Sequence, residues 1–352
     1  MNQNEKLKIN PSTIEKILLI RLRRIGDVIM TTPAITALRE YFPDAWISYV
    51  VEEPYRELVE NNPHLNETIV IPPNQTVKRS LSCIRQIRNK HFDIAIDFHG
   101  GPRASLITFL SGARLKIGYK IKYKPFIYDV RLPRRPQKGH FHSVESHLNL
   151  VKALGVPVST SPPLCLPEAK KEEAQKISSF LSENGLNDSS FIVMHIGAGN
   201  AFRHWGTDNF VRLINLVSKN IGTKIILVGA QEDKEIEQEI MQKTETPPLS
   251  AVGKVNLLEL KELISRSALF FGSDSGPMHI AASTSTPIVA YFGPTLPTNF
   301  SPWKANAILI EKNLDCRPCK QRHCIHKDFR CLSQITPEEV YEKLGTVPNF
   351  NY

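Results

Sequence analysis

The sequence predicts two doubly wound α/β domains that follow one another along the chain. Short runs that are apolar on both faces alternate with helix-like stretches, which is typical of parallel strands covered by helices. This alternation stops over residues 156–169 (VPVSTSPPLCLPEA), a proline-rich stretch typical of a linker, and then begins again. A chain of 352 residues is also long for one domain and comfortable for two.

The first domain is assigned to residues 1–160 and contains four predicted strands. They are KILLIR, WISYVV, ETIVI and DIAID, at 16–21, 46–51, 67–71 and 93–97. Helix-like patterns follow the first strand up to about Tyr41 and recur at 78–90 and 142–155. Strands and helices in this order predict a parallel sheet covered on both sides, a Rossmann-like arrangement.

Residues 115–139 interrupt this alternation. The stretch is basic, aromatic and proline-bearing, and we interpret it as a long surface excursion rather than a core element. Over residues 114–138, the basic side chains are accompanied by a single acid, Asp129. The basic residues are Arg114, Lys116, Lys120, Lys122, Lys124, Arg131, Arg134, Arg135 and Lys138. A solvated charged loop is one interpretation, and contact with an anionic surface is the other.

The second domain is assigned to residues 161–352 and repeats the alternation. A helix is predicted over about 168–184 and another over 256–267. The predicted strands are FIVMHI, KIILVGA, ALFFGSD and PIVAYFGP, which begin at residues 191, 224, 268 and 287. With the helix GPMHIAAST between the last two strands, these segments form a second Rossmann-like unit.

Charge and hydropathy bound the cellular context. The net charge of +9 predicts an anionic partner, and nucleic acid, anionic lipid and a phosphorylated substrate all qualify. The N-terminus is polar and lacks the apolar core of a secretory signal. No apolar run approaches the ~20 residues that span a bilayer. We therefore expect a cytoplasmic protein.

Four of the six cysteines crowd into one short stretch. Cys316, Cys319, Cys324 and Cys331 follow the spacing C-x2-C-x4-C-x6-C. In a reducing compartment such a cluster is more typical of metal than of disulfides, so these thiols are a candidate structural zinc site. Four packed thiols without metal, or a disulfide formed after lysis, are the alternatives. The C-x2-C spacing in a basic chain also suggests a nucleic-acid-binding module, but the tail is short, so we expect no nucleic acid.

Asp27 is the first candidate functional residue. It follows the first strand and opens a helix in RLRRIGDVIM, and ligands of open parallel sheets bind beyond the carboxyl ends of the strands. Gly26 is expected to let the backbone turn tightly there. Asp27 either caps the helix, as acids near helix starts do, or acts as a general base that takes a proton from an attacking hydroxyl.

The second candidate is the segment GSDSGPMH in the second domain. Ser275, Gly276 and Pro277 suit the start of a helix, where free N–H groups and the helix dipole favour a diphosphate. Asp274 at the strand end is a candidate for binding a sugar hydroxyl, and His279 lies about one turn into the helix. A well-capped helix with a satisfied histidine is the alternative interpretation.

Two further loops follow strands of the second domain. In HIGAGNAFRHWG, Arg203 is placed to neutralise phosphate charge. In VGAQED, either Glu232 or Asp233 is placed to accept hydrogen bonds from ribose hydroxyls. Small residues let the backbone of these loops approach a ligand, and they are Gly197, Gly199 and Gly229. The alternatives are a surface arginine and acids that stabilise the first turn of a helix.

Three common site motifs are missing. Neither domain carries GxGxxG after its first strand, which argues against a dinucleotide dehydrogenase. The absence of GxxxxGK[ST] argues against a P-loop NTPase, and no GxSxG elbow is present.

Taken in order, the motifs resemble those of the lipopolysaccharide heptosyltransferases, which are family 9 glycosyltransferases. The resemblance rests on IRLRRIGDVIMTTPAITALREYFPDA, FDIAIDFHGGPRASLITFLSGARLKIGY, HIGAGNAFRHW, LVGAQED and GSDSGPMHIAASTSTPIVAYFGPT. It implies a B-type glycosyltransferase fold, in which two Rossmann-like domains face a cleft, the first binding acceptor and the second donor. It also implies inversion at the anomeric carbon, no cofactor for catalysis, an ADP-heptose-like donor and a lipid A–core acceptor. A glycosyltransferase of this fold with another nucleotide sugar and glycan acceptor is the alternative.

The resemblance implies roles for individual residues. Asp27 matches the general base of the family, and its retention argues against a sugar-binding protein that has lost catalysis. Arg203 stands where the family often has lysine, and Asp233 resembles the acid that contacts ribose. The donor-binding motif is matched by Asp274, Ser275, Gly276 and His279.

The implied acceptor suggests a role for the basic excursion. A lipid A core carries phosphates and acidic sugars and is embedded in the inner membrane. Each basic residue near an anionic surface contributes about 1 kcal/mol, and aromatic rings favour the interfacial zone. We therefore expect peripheral binding to the anionic inner-membrane surface. The residues expected to contact acceptor or membrane are Arg24, Arg134, Arg135 and Lys138.

Overall fold

The computed structural model describes residues 9–73, 77–121, 126–134, 141–158 and 161–347. The chain divides into two compact units, Met1–Pro167 and Glu168–Tyr352. Each unit contains one six-stranded sheet in which all neighbouring strands are parallel. No helix within the described ranges is long and apolar enough to cross a membrane.

The first unit is built around the sheet β3-β2-β1-β4-β5-β6. Its strands are β1 (Lys16–Ile20), β2 (Trp46–Glu52), β3 (Glu67–Ile71), β4 (Ile94–Asp97), β5 (Leu115–Tyr119) and β6 (Val130–Leu132). Its helices are α1 (Ile25–Ile29), α2 (Thr32–Tyr41), α3 (Val77–Arg88), α4 (Pro102–Leu110) and α5 (Ser143–Lys152). Short 3-10 turns occupy Pro11–Thr13 and Glu53–Leu58.

The second unit is built around the sheet β12-β11-β10-β7-β8-β9. Its strands are β7 (Phe191–His195), β8 (Lys224–Val228), β9 (Leu249–Ser250), β10 (Leu269–Ser273), β11 (Ile288–Phe292) and β12 (Ala307–Glu311). Its helices are α6 (Lys171–Glu183), α7 (Thr207–Asn220), α8 (Lys234–Lys243), α9 (Leu257–Ser265), α10 (Gly276–Ala281), α11 (Pro297–Phe300), α12 (Arg330–Ser333) and α13 (Pro337–Leu344). Ala201–Arg203 and Gln231–Asp233 are 3-10 turns.

The two sheets have the same topology. Numbered within its own unit, each sheet has the order 3-2-1-4-5-6, which is the order of a Rossmann-like doubly wound sheet. The order reverses between β1 and β4 in the first unit and between β7 and β10 in the second. The predicted fold class, two doubly wound α/β domains, is therefore confirmed.

The central strands are buried on both faces, as their continuous apolar composition predicts. Every side chain of β10 is buried, and Phe270 and Phe271 are fully so. Trp205 packs edge-on against Phe271 and donates from Nε1 to the carbonyl of Ile335, 2.8 Å away. Burial of each large apolar side chain contributes roughly 1.5–3 kcal/mol to the free energy of unfolding. Apolar side chains of the C-terminal residues, among them Ile335 and Leu344, belong to the same core, so the core also fixes that part of the chain.

The interpretation of residues 115–139 as a surface excursion is wrong for Leu115–Tyr119 and Val130–Leu132, which form β5 and β6. Ile117 is fully buried and Tyr119 is 3% exposed. The basic character of this stretch hid its strand pattern, because Lys116 alternates with these inward-facing residues. The Lys116 ammonium lies at the surface end of the strand, where it donates to the carbonyl of Ala113 at 2.7 Å.

The proline-rich linker packs against the first unit at its C-terminal end. The backbone N–H of Cys165 donates to the Thr32 hydroxyl at 3.0 Å, and the Asn62 side chain donates to the Cys165 carbonyl at 2.8 Å. Leu164 and Leu166 on either side are buried. These contacts explain why the first unit extends to Pro167.

Candidate functional site

The sheet topology brings the candidate residues of each unit to one edge. Ligands of doubly wound sheets bind where the strand order reverses, beyond the carboxyl ends of the strands. In the first unit, the loop after β1 leads to Asp27 and the loop after β4 carries His99. In the second unit, Arg203 follows β7 and Asp274 follows β10 directly.

The entrance to α1 is made by an unusual backbone conformation at Arg24. Its φ of 72° lies in the left-handed region, which residues other than glycine seldom adopt. Gly26 is a residue of the helix and has no positive φ, so the expectation that it makes the tight turn is wrong. Backbone strain of this kind is concentrated at functional sites. The Arg24 side chain is exposed.

Asp27 is held by an ion pair with Arg21. The Arg21 side chain is 6% exposed, whereas that of Asp27 is 30% exposed. Arg21 Nη1 also donates to the carbonyl of Phe98, 2.8 Å away in the loop after β4. The Arg24 side chain at the start of α1 makes no capping hydrogen bond, and Asp27 is the acid in the first turn of this helix. The exposed surface of the Asp27 carboxylate is what a general base requires.

His99 lies among the arginines of this edge. Burial, and then the charges of Arg21, Arg23 and Arg134, lower the pKa of His99 to about 4, so its ring is neutral near pH 7. Its Nδ1 is buried and has no hydrogen-bond partner among the described residues. Sequence reasoning missed both His99 and Arg21. A histidine two residues beyond a buried strand is the signal that would have found His99.

Arg134 is engaged at the same edge. Its Nη2 donates to the carbonyl of His99 at 2.6 Å, and its guanidinium lies 4.7 Å from the centre of the Tyr119 ring. Arg134 therefore ties the loop after β4 to β5. Two further residues predicted to contact acceptor or membrane, Arg135 and Lys138, lie outside the described residues.

Beneath this edge, the fully buried Asp97 anchors the loop after β4. Its Oδ1 accepts from the backbone N–H groups of His99 (2.7 Å) and Gly100 (2.8 Å). Its Oδ2 accepts from the Tyr128 hydroxyl at 2.5 Å. Burial raises the pKa of Asp97, and these bonds oppose the rise. Asp97 thus fixes the loop after β4, whose backbone carbonyls accept hydrogen bonds from Arg21 and Arg134.

Arg203 and Asp274 form an equivalent pair in the second unit. Arg203 Nη1 donates to the backbone carbonyl of Asp274 at 2.8 Å and lies 3.5 Å from its Oδ2. Asp274 Oδ2 also accepts from the Thr295 hydroxyl at 2.6 Å. The Asp274 side chain is 6% exposed and that of Arg203 is 23% exposed. The structure thus pairs two of the predicted residues and leaves the arginine as the more exposed member.

The predicted diphosphate motif begins α10 at Gly276, with Pro277 in its first turn. The Ser275 side chain does not cap this helix, and its hydroxyl lies 3.3 Å from Nδ1 of His195. Burial lowers the pKa of His195 to about 4. His279 is 3% exposed, so it packs inside the unit rather than at the loop edge.

Asp233 lies against two of the predicted glycines. A Cβ at Gly197 would clash with the Asp233 carboxylate, and one at Gly229 would lie 2.8 Å from its Oδ2. The same oxygen accepts a backbone N–H at the start of the 3-10 turn. Glu232 is exposed, so Asp233 is the acid that turns towards the strand ends. Gly199 differs, since it has a φ of 60° and open space beside it.

The four clustered cysteines have free, half-buried thiols. Burial raises the pKa of the Cys331 thiol, Arg317 opposes the rise, and the three other thiols are close enough to raise it further. Within the described part of the chain, no group of three or more Cys, His, Asp or Glu side chains is arranged to hold a metal ion. Structural zinc stays a prediction. Elemental analysis of protein purified without chelator tests it, and less than near-stoichiometric zinc or iron would end it.

Comparison with known proteins identifies relatives over most of the chain. The model of glycosyltransferase family 9 (heptosyltransferase) matches residues 80–329. Lipopolysaccharide heptosyltransferase 3 of Escherichia coli is 27% identical over 329 residues, which cover 91% of this chain and 94% of that protein. The crystal structure of a family 9 glycosyl transferase from Veillonella parvula is 26% identical, with a TM-score of 0.84 over 97% of this chain and 98% of its own.

A second solved structure shares the fold. It is the ADP-heptose lps heptosyltransferase II of Escherichia coli, with a TM-score of 0.76, 22% identity and coverage of 94% of this chain and 97% of its own. The family match spans well over half of the sequence and confirms the resemblance seen in the motifs. The chain belongs to glycosyltransferase family 9, the heptosyltransferases.

Proposed function

We propose that this protein transfers a heptose from an ADP-activated donor to the inner core of lipopolysaccharide, with inversion at the anomeric carbon. Family membership and the similarity to lipopolysaccharide heptosyltransferases support this reaction class. The observation that supports the proposal most strongly is which member of each ion pair is exposed. The pair in the first unit exposes the carboxylate of Asp27, and the pair in the second unit exposes the guanidinium of Arg203. Sugar transfer needs a base for the acceptor and a cation for the departing diphosphate.

Asp27 is the proposed general base. Its carboxylate accepts the proton of an acceptor hydroxyl while that oxygen forms a bond to the anomeric carbon. The bond between this carbon and the diphosphate oxygen breaks, and its electron pair leaves with ADP. One direct displacement of this kind inverts the anomeric centre. Arg21, fixed to the loop after β4, holds the carboxylate in place without covering it.

Arg203 is the proposed partner of the departing diphosphate. Because this fixed guanidinium supplies positive charge, we propose that transfer requires no metal. The Asp274 carboxylate is mostly buried and bonded to Thr295, which favours a role in holding Arg203. Its contact with a donor sugar hydroxyl stays a prediction. Asp233, beside Gly197, is the proposed ribose-binding acid.

We further propose that the protein is cytoplasmic and binds the inner membrane peripherally through an apolar patch formed by Leu106, Phe109 and Phe126. These side chains are 50%, 44% and 70% exposed. Leu106 and Phe109 lie on one face of α4, and the Phe126 ring is 6.0 Å from that of Phe109. Exposed Arg131 lies on β6, in the same basic stretch as Phe126. Apolar side chains accompanied by basic ones are typical of proteins that lie on anionic lipid.

Vesicle sedimentation tests this surface. The variant Leu106→Ser/Phe109→Ser should bind vesicles of anionic phospholipid less than the wild type, while ADP binding is unchanged. Trp46→Ser is the matched control, since Trp46 is also 48% exposed but lies on β2. High salt should weaken binding of the wild type, because salt screens the contribution of the basic residues. Equal sedimentation of the double variant and the wild type at low salt would contradict the proposal.

Mass spectrometry of the lipopolysaccharide core from a deletion strain tests the proposed function. We expect a core that lacks one heptose, restored by the wild-type gene and not by Asp27→Asn. Loss of a different sugar would keep the reaction class and replace the donor. An unchanged core would count against the lipopolysaccharide assignment.

A further inference from the structure

The segment that carries the four cysteines packs against the donor-side loops of the second unit. We call residues 312–331 the cysteine segment. Its Cys319 N–H donates to the carbonyl of Pro294 at 3.1 Å, in the loop after β11. The ring of Phe329 lies 5.6 Å from that of Phe202, in the loop after β7. The proposed reaction assigns no role to this segment, although it contacts two loops at the strand ends.

Gln321 of the cysteine segment bonds directly to the proposed phosphate-binding arginine. Its Oε1 accepts from Arg203 Nε at 3.0 Å and from Asn200 Nδ2 at 3.0 Å. Arg203 Nη1 is bound to the carbonyl of Asp274 at 2.8 Å. Two of the three guanidinium nitrogens therefore have fixed partners, and Nη2 has none among the residues that the structure describes.

This arrangement determines the plane of the guanidinium. The group is rigid and planar, so fixing Nε and Nη1 also fixes the direction of Nη2 and its two N–H groups. A side chain held in advance loses less conformational entropy when it binds a ligand. Lysine has a single nitrogen, so the Gln321 contact can orient a guanidinium but not a flexible ammonium in this way.

A second contact from the same segment supports the partner of Arg203. Arg317 is 3% exposed, and its Nη2 donates to the carbonyl of Thr295 at 2.6 Å and pairs with Glu311 at 2.9 Å. The Thr295 hydroxyl in turn donates to the Asp274 carboxylate. The cysteine segment thus contacts both members of the Arg203–Asp274 pair, one directly and one through Thr295.

We infer that Gln321 is a positioning residue that holds Arg203 with Nη2 free for the donor diphosphate. The cysteine segment is accordingly part of the donor site. This inference rests on the proposed donor role of Arg203. We therefore expect Gln321 to affect the binding of ADP and of the ADP-sugar, and to leave acceptor binding unchanged.

A double-mutant cycle on the full chain tests the inference. Gln321→Met keeps the side-chain length and removes the acceptor, and should weaken ADP binding by calorimetry and raise donor KM roughly tenfold. The acceptor KM should stay the same. Arg203→Lys should weaken ADP binding roughly tenfold in the wild-type background. In the Gln321→Met background it should weaken binding by less than about twofold, because the hydrogen bond between Gln321 and Arg203 is already lost. Gln334→Met, at an exposed position of the same tail, is the matched control.

The outcomes separate the inference from the proposed function. If the wild type binds no ADP, the donor assignment itself fails. If the wild type binds ADP and Gln321→Met binds it equally well, or if the two substitutions act independently, Gln321 does not position Arg203. Gln321→Ala provides a second variant that lacks the acceptor, and thermal melting of each variant ensures that folded proteins are compared.

Discussion

The two units share one strand order but expose opposite charges at equivalent edges. In the first unit, Arg21 is buried and the carboxylate of its partner Asp27 is 30% exposed. In the second, Asp274 is buried and the guanidinium of its partner Arg203 is 23% exposed. The topology is the same, so the chemistry offered at each edge depends on which member of the ion pair the loops bury.

The buried members show how each pair is stabilised. A buried charge is tolerated when it is paired and hydrogen-bonded, and both are. Arg21 donates to the Phe98 carbonyl, and the Asp274 carboxylate accepts from the Thr295 hydroxyl. The exposed members keep surface for a ligand. In the proposed reaction, the exposed carboxylate is the base and the exposed guanidinium is the cation that sugar transfer from a diphosphate uses.

Removing the base should produce the largest effect. Asp27→Asn keeps the shape of the side chain and removes its ability to accept a proton, so transfer should fall roughly 10²–10⁴-fold. Donor KM should change little. Steady-state kinetics with ADP-heptose and purified core acceptor measure both values. A variant that transfers at the wild-type rate would reduce Asp27 to a partner of Arg21.

Removing the cation should affect the donor selectively. Arg203→Ala should raise donor KM roughly 10–100-fold, since it deletes a charge-assisted contact to phosphate. Arg203→Lys keeps the charge and should retain more activity. Asp274→Ala should also weaken use of the donor, because Arg203 loses its partner. Unchanged donor KM and turnover in both alanine variants would remove these residues from the site.

Weakening the buried partner of the base should have a smaller effect. Arg21→Lys keeps the charge but cannot contact both Asp27 and the Phe98 carbonyl with a rigid fork. We expect roughly tenfold lower kcat and an unchanged donor KM, because one charge-assisted hydrogen bond is lost. Arg39→Lys, on α2, is the control for substitution of a structural arginine in the same unit. A change in donor KM, or no change in kcat, would contradict a role in placing Asp27.

The buried His195 should make the second unit sensitive to acid. Burial lowers its pKa from 6.5 to about 4, so the unfolded chain binds a proton more readily than the folded one between these values. This contribution to stability is fully present above pH 6.5 and is lost as the pH falls towards 4. Between pH 7.5 and 4.5 the loss is roughly 2–3 kcal/mol. Chemical denaturation at both pH values should show a smaller loss for His195→Asn, and an equal loss would contradict the assignment.

Sequence patterns predicted the elements whose apolar residues are contiguous. The runs at β1, β2, β7 and β10 are apolar on both faces and stand between clear helix patterns. The same reasoning failed at β5, because Lys116 and the neighbouring basic residues gave the stretch the composition of a surface loop. Tertiary packing determines the structure of this stretch, because burial of Ile117 and Tyr119 in the sheet outweighs the local composition.

The candidate site was predictable where a residue stands directly at a strand end. Asp274 was found in this way, Arg203 was found in the glycine-containing loop after β7, and the structure pairs them. Arg21 was not found because the sequence pattern counted it within the first apolar run, and its bond to the Phe98 carbonyl joins residues 77 positions apart. Gln321 was not found because its role comes from a contact with a residue far away in the sequence. Gln321 lies 118 positions from Arg203, and no local pattern encodes such a contact.

Calorimetric titration of ADP into the wild type, Asp27→Asn and Arg203→Ala is the most direct test of the proposed roles. These roles are Asp27 as the base for the acceptor and Arg203 as the cation for the donor diphosphate. Nucleotide alone reports on the donor side without turnover. We expect equal affinity for the wild type and Asp27→Asn, and roughly 10–100-fold weaker binding for Arg203→Ala. Weakened binding in Asp27→Asn together with wild-type binding in Arg203→Ala would contradict the assignment of base and cation to the two units.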